Sequence, residues 1–220
     1  MIPFSGSLGI FKHVLFGVIF TGIVSVSFGQ TPGPNILFIA VDDLRPELNC
    51  YGAHHVKTPN IDRLAASGVL FERAYCQQAV CAPSRNSILT GLRPDALGIY
   101  DLGTHFRDKV PDVVTLPQLF KANGYRAEAV GKIYHQGHGN KNDVQSWSVP
   151  HVSTGQLMRN LEPIANGDTT GLQSDFPLVD GIKIPFYASN QPEGNMTDAK
   201  VADWAVDRLK TLKDSTFFLA

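Results

Sequence analysis

The sequence predicts an α/β fold, a mainly parallel β-sheet flanked by helices, and three observations predict it. The run Ile36-Leu37-Phe38-Ile39-Ala40-Val41 is apolar without a break, the pattern of a strand buried on both faces. A helix signal follows, opening at Thr58-Pro59 and stopping at Gly68. Strand-like and helix-like segments then alternate down the chain, which is how parallel strands are connected.

Composition bounds the class. The 220 residues are 43% hydrophobic and 18% charged, proportions that exclude disordered, collagen-like and coiled-coil chains. Nineteen basic residues stand against twenty acidic ones, a formal net charge of −1. No global field would hold such a chain on nucleic acid or an anionic membrane, so any recognition of anions is local.

The elements follow in order. Lys12 and His13 precede the apolar run Val14 to Val26, and Ser27-Phe28-Gly29 places small residues around a cleavage site. Residues 1–29 therefore read as a secretory signal peptide. The run is shorter than the roughly 20 apolar residues of a spanning helix, Gly17 and Gly22 interrupt it, and no later segment is long enough to form a stable membrane span. Residues 30–220 are expected to be secreted or periplasmic, or lysosomal or extracellular in a eukaryote. Cys50, Cys76 and Cys81 make an odd number in an exported chain, so at least one thiol is free or chemically committed.

The first strand, Ile36 to Val41, ends abruptly in Asp42-Asp43. Thr58 caps a helix with Pro59 at its first position and Ile61, Leu64 and Ala65 on one face; Val69 to Tyr75 is the next short strand. A second helix runs from Ser84 to Thr90 with Gly91 at its end. A third starts at Leu116-Pro117 and stops at Asn123-Gly124, before the strand Tyr125 to Val130. Residues 136–195 are rich in Gly, Pro, Asn, Asp and Ser and read as a long irregular excursion. A final helix, Asp198 to Leu212 behind a Thr197 cap, precedes the buried strand that begins at Phe217. The chain stops inside that strand, which leads us to expect a truncated reading frame.

Three constellations carry chemistry. Asp42 and Asp43 lie at the carboxyl end of a strand, where ligands bind in open α/β sheets, and oxygen ligands suit a hard cation. Adjacent side chains on a strand point to opposite faces, so both converge on one cation only if Asp43 has left the strand. A cap or turn role stays open for the pair. Cys81-Ala82-Pro83-Ser84-Arg85 places a sulfur at a helix start with a guanidinium one turn on, an anion-binding layout. A reactive thiolate, a structural thiol and a disulfide with Cys76 stay open. Lys132 and His135 lie just past a strand and offer a cation for an anionic ester and a proton for its leaving group. A solvated lysine and a surface histidine are the alternatives. His138 completes a His-x-x-His spacing without a third zinc ligand. His54-His55 read as a turn, Trp204 as core and Asn195-Met196-Thr197 as a glycosylation sequon. His105 and Arg107 are candidates to line a pocket for an acidic sugar.

The string CAPSRNSILTG resembles the Cys-x-Pro-Ser-Arg signature of the type I, formylglycine-dependent sulfatases. NILFIAVDDLRPELNCYG, TPNIDRLAASGVLFERAY and GYRAEAVGKIYHQG match flanking segments of that family in order, and their wording is most similar to the iduronate-2-sulfatase branch. The resemblance covers residues 34–136 strongly and 192–220 more weakly. It implies an alkaline-phosphatase-like sulfatase fold of which residues 30–220 are the N-terminal portion, the C-terminal part being missing. It implies that a maturation enzyme oxidises Cys81 to formylglycine before folding, and that Asp42, Asp43 and residue 81 hold one Ca²⁺. Arg85 would hold the modified side chain, Lys132 would meet the anion and His135 would protonate the leaving alcohol. The substrate implied is a sulfated carbohydrate. Further metal ligands and catalytic groups of the family are absent from these 220 residues, so the chain alone is expected to turn over little or not at all. A phosphoesterase or phosphonate hydrolase of the same superfold and an inactive pseudoenzyme are the alternatives.

Overall fold

The computed structural model describes residues 33–159, 178–179, 182–183 and 192–220. The signal-peptide expectation for residues 1–29 and much of the expected excursion lie outside them. Along the described chain come β1 (Ile36–Leu37), α1 (Pro59–Ser67), α2 (Cys81–Thr90), α3 (Pro94–Leu97), α4 (Phe106–Lys109) and α5 (Leu116–Ala122). They are followed by β2 (Arg126–Glu128), α6 (Thr154–Arg159), the short pair β3 (Leu178–Val179) and β4 (Ile182–Lys183), α7 (Thr197–Leu212) and β5 (Phe217–Leu219).

Among the described residues the sheet has the order β1-β5-β2 with both pairings parallel, so β5 lies between two strands that precede it in sequence. Its residues Phe217, Phe218 and Leu219 are all buried. A central strand has neighbours on both edges and a layer on its faces, hence the unbroken apolar run. Phe218 stacks on Phe120 of α5 at a ring separation of 5.0 Å, and burying one such side chain contributes about 2 kcal/mol. Leu89 of α2, Phe106 of α4, Ala127 of β2 and Tyr134 complete this core with it. A second cluster joins Leu212 and Trp204 of α7 to Phe217 and Leu219, placing Trp204 on the core side as expected.

Glu128 is a buried carboxylate on β2, and two guanidinium groups make that tolerable. Arg208 of α7 donates to it twice at 2.8 Å, and Arg126 donates at 2.5 Å. Burial alone would raise its pKa, but these bonds outweigh it and hold the carboxyl below its ordinary value.

Several expectations are corrected. The first strand covers Ile36–Leu37 and not Ile36 to Val41, and Ile39 and Val41 are 70% and 57% exposed. The strand pairs on one edge only, and among the described residues no second layer covers its outer face. Val69 to Tyr75 forms no strand, having no partner to pair with, and Phe71 and Tyr75 are exposed. The second helix begins at Cys81 rather than Ser84, because Pro83 sits inside the first turn and not at its start. Met196, not Thr197, is the N-cap of α7. The four-residue helices α3 and α4 were not anticipated.

Candidate active site

The site forms where three segments end. Past β1 the chain turns at Asp42-Asp43, and Asp43 takes the left-handed conformation with φ of 53°. That turn breaks the strand alternation, and it is how two adjacent carboxylates come to one side. Cys81 is the first residue of α2, where the helix dipole presents its positive end. Lys132 follows β2 by four residues.

Side chains from these segments converge. Sγ of Cys81 lies 3.7 Å from Asp42 Oδ1, 4.0 Å from Asp43 Oδ1 and 3.5 Å from Lys132 Nζ. Arg85, one turn along α2, is buried and donates to Asp42 Oδ1 at 2.8 Å. Its other terminal nitrogen donates to the carbonyl of Ile133 at 2.9 Å and to that of Lys132. The guanidinium thus braces the β2 exit against the β1 exit. Lys132 Nζ also donates to Asp42 Oδ2. Burial alone would raise the Asp42 carboxyl, but hydrogen bonds from Lys132 and Arg85 hold it at about 2. Burial likewise disfavours charge on Lys132, and its bond to Asp42 outweighs this and raises it. A cavity of about 560 Å³ opens beside Asp42, Asp43, Cys81 and Arg85, with Cys76 and Gln78 also on its wall.

Ligand atoms of Asp42, Asp43 and Cys81 all lie within 4.8 Å of one another, close enough for one ion. The donor set as encoded mixes two hard carboxylates with a soft sulfur. Replacing that sulfur by an oxygen-bearing group makes the set all-oxygen, which fits Ca²⁺. The residues therefore fit the cation together with the modification, better than either alone.

Sequence reasoning reached five of these residues, and Asp42, Asp43, Cys81, Arg85 and Lys132 are brought together. His135 is near but not on the cavity wall. It is buried, and its Nε2 meets Nδ1 of His138 at 3.2 Å. Burial first, then the charges of Lys132, His138 and Arg85, lower its pKa. Cys50, Cys76 and Cys81 are all free thiols, so the disulfide alternative for Cys81 is not formed. Cys76 and Gln78 were not foreseen as wall residues; their nearness in sequence to Cys81 was the available signal.

Arg107 and His105 do not line the cavity. Arg107 binds both oxygens of Asp143 at 3.1 and 2.9 Å, Gln118 Oε1 at 2.5 Å, and the carbonyls of Pro111 and Val113 at 2.9 and 2.5 Å. His105 is buried and caps α4 by accepting from the Arg107 N–H at 3.2 Å. Both are structural. His54 and His55 lie in a turn, as expected.

Comparison with known proteins places this geometry. The chain is 43% identical over 197 residues to mouse iduronate 2-sulfatase and 42% identical over 195 residues to the human enzyme, covering 86% of this chain and 34% of each relative. It therefore spans about a third of the length of these relatives. It is also 41% identical over 111 residues to an N-acetylgalactosamine-6-O-sulfatase of Bacteroides thetaiotaomicron, covering 49% of this chain and 22% of that one. The sulfatase family model matches residues 34–220, and the chain belongs to the sulfatase family.

Proposed function

We propose that the protein is a sulfuric ester hydrolase that removes sulfate from a sulfated carbohydrate, with formylglycine at position 81 as nucleophile and one Ca²⁺ held by Asp42, Asp43 and residue 81. The single observation that carries the reading is the convergence of Cys81, at the start of α2, with two carboxylates and the Lys132 ammonium, one of those carboxylates being bound in turn by Arg85. The names of the mouse and human relatives favour an iduronate-type substrate, a sulfated hexuronate or its polysaccharide. Export, as read from residues 1–29, suits an enzyme that meets such a polysaccharide outside the cytoplasm.

The chain's own groups have separable tasks. Arg85 is fixed by the carbonyls of Lys132 and Ile133 and holds positive charge beside residue 81. Lys132 is the partly exposed cation that leaves Asp42 to meet the sulfate oxygens. His135 gives the proton to the departing alcohol oxygen. When bound, Ca²⁺ supplies charge stabilisation for the sulfate oxygens, and the hydrated aldehyde supplies two hydroxyls on one carbon, one to attack and one to release sulfate.

Mass spectrometry of the tryptic peptide Ala74 to Arg85, from protein made in its own host, tests the reading. The expected result is an aldehyde in place of the thiol at position 81 and an unmodified Cys76 in the same peptide. Unmodified Cys81, in a host that matures a control sulfatase, overturns the mechanism.

A further inference from the structure

His135 is buried, yet a group that gives up a proton must regain one. Among the described residues its one side-chain hydrogen-bond neighbour is His138, whose Nδ1 lies 3.2 Å from His135 Nε2, and the other ring nitrogen of His135, Nδ1, is buried with no partner among them. The rings stack with centroids 5.4 Å apart and planes 22° apart. His138 is exposed, so the pair runs from the interior to solvent.

The turn that carries His138 is tied down. Gly137 and Asn140 exchange backbone hydrogen bonds at 3.3 and 2.8 Å. Asn140 Nδ2 donates to the carbonyls of Leu102 and Thr104 at 3.0 and 3.1 Å. His138 has φ of 53°, a conformation that residues other than glycine adopt when their surroundings hold them there. A Cβ at Gly103 would stand 2.9 Å from the His138 carbonyl oxygen, so the loop and the turn meet where only glycine fits.

Burial first, then the positive charges of Lys132, His138 and Arg85, lower the pKa of the His135 ring against the pull of Asp42. A neutral imidazole has one N–H and one bare nitrogen. We propose that His138 sets the tautomer of His135 and reprotonates it: His138 Nδ1–H donates to His135 Nε2, leaving the single proton of His135 on Nδ1. Nδ1 of His135 gives its proton to the departing alkoxide while the His138 Nδ1 proton moves to His135 Nε2. A solvent proton reaches the exposed Nε2 of His138 as its Nδ1 proton leaves, so each ring then carries its proton on Nε2. The reverse shift restores both tautomers when His135 Nδ1 next takes up a proton.

This rests on the reading of His135 as proton donor, but its test involves no substrate. Long-range ¹H–¹⁵N NMR of the 220-residue chain, labelled in histidine, distinguishes a protonated ring nitrogen from a bare one. The expected result is His135 with Nδ1–H and bare Nε2, and a mixture of both tautomers in His138→Phe. Gly103→Ala, which keeps both rings and displaces the turn, shifts His135 the same way. Nε2–H on His135 in the unaltered chain, or a tautomer that neither substitution changes, overturns the proposal. Should a variant not fold, the unaltered chain alone decides. A thiol at position 81 in the peptide experiment would sink the sulfatase reading and leave this result standing.

Discussion

Arg107 places all five of its guanidinium N–H groups on protein acceptors, and Asp143 is the charged one among them. Burial alone would raise the Asp143 carboxyl, but Arg107 and Ser146 hold it below its ordinary range. Removing one partner of such a buried pair leaves an uncompensated charge. Arg107→Ala is therefore expected to cost about 3–5 kcal/mol in urea unfolding, and pairing Arg107→Met with Asp143→Leu to recover most of it. A loss under about 1 kcal/mol for Arg107→Ala would show that the pair is not structural. An arginine in a loop beside a histidine reads as an anion receptor, and nothing local contradicts that. Its true partner lies 36 residues on, in a stretch without periodicity. The cluster residues were legible for the opposite reason. Cys81 and Arg85 are one helical turn apart, and Asp42-Asp43 are adjacent, so local spacing carries most of their geometry. His138 was visible only as half of a zinc spacing, since the neighbour that gives it meaning depends on the left-handed turn.

At the level of elements, α2 carries two of the site residues and depends on how it ends. Gly91 is its C-cap with φ of 72°, and its N–H donates to Ser87 at 2.9 Å. A side chain there is strained whatever the space, so Gly91→Ala is expected to lower stability by about 1 kcal/mol. Thermal unfolding measures it, and an unchanged or raised midpoint contradicts the assignment. Gly91, like Pro59 at the start of α1, was readable because helix ends use few residue types. The boundaries of α5 were readable too, and the structure adds a capping box between Thr115 and Gln118. Four-residue helices such as α3 and α4 complete barely one turn and leave no period to read. The strand expected over Ile36 to Val41 is longer than the one formed, Ile36–Leu37, because an apolar run looks the same whether or not a layer covers it. The alternation of elements was enough for the class, but not for the strand order.

For the molecule as a whole, pH reaches the fold first through two buried histidines, His105 and His135, and the half-buried His151. His105, His135 and His151 are each lowered below 6.5, burial being the foremost cause. Below that value the unfolded chain binds protons that the folded chain refuses, so stability falls as the pH drops. Below 3.8 the depressed carboxylates add to this, and Asp42 protonates only near 2. The melting temperature is expected to be level above pH 7, to decline from about 6.5 and to decline again below about 4. A midpoint that rises between pH 6.5 and 5 would contradict the burial of the three rings. The sheet order matters for timing as well as for shape. β5 lies between β1 and β2 and follows both in sequence, and the Phe217 N–H bonds to Asn35 across 182 positions. During synthesis neither outer strand has its neighbour until β5 emerges. At ordinary elongation rates of about 5–20 residues per second, the segment around Cys81 waits on the order of 10 s before the sheet can close over it. For a modification made on the unfolded chain, that delay is a working interval set by topology, and a circular permutant that places β5 before β1 would shorten it.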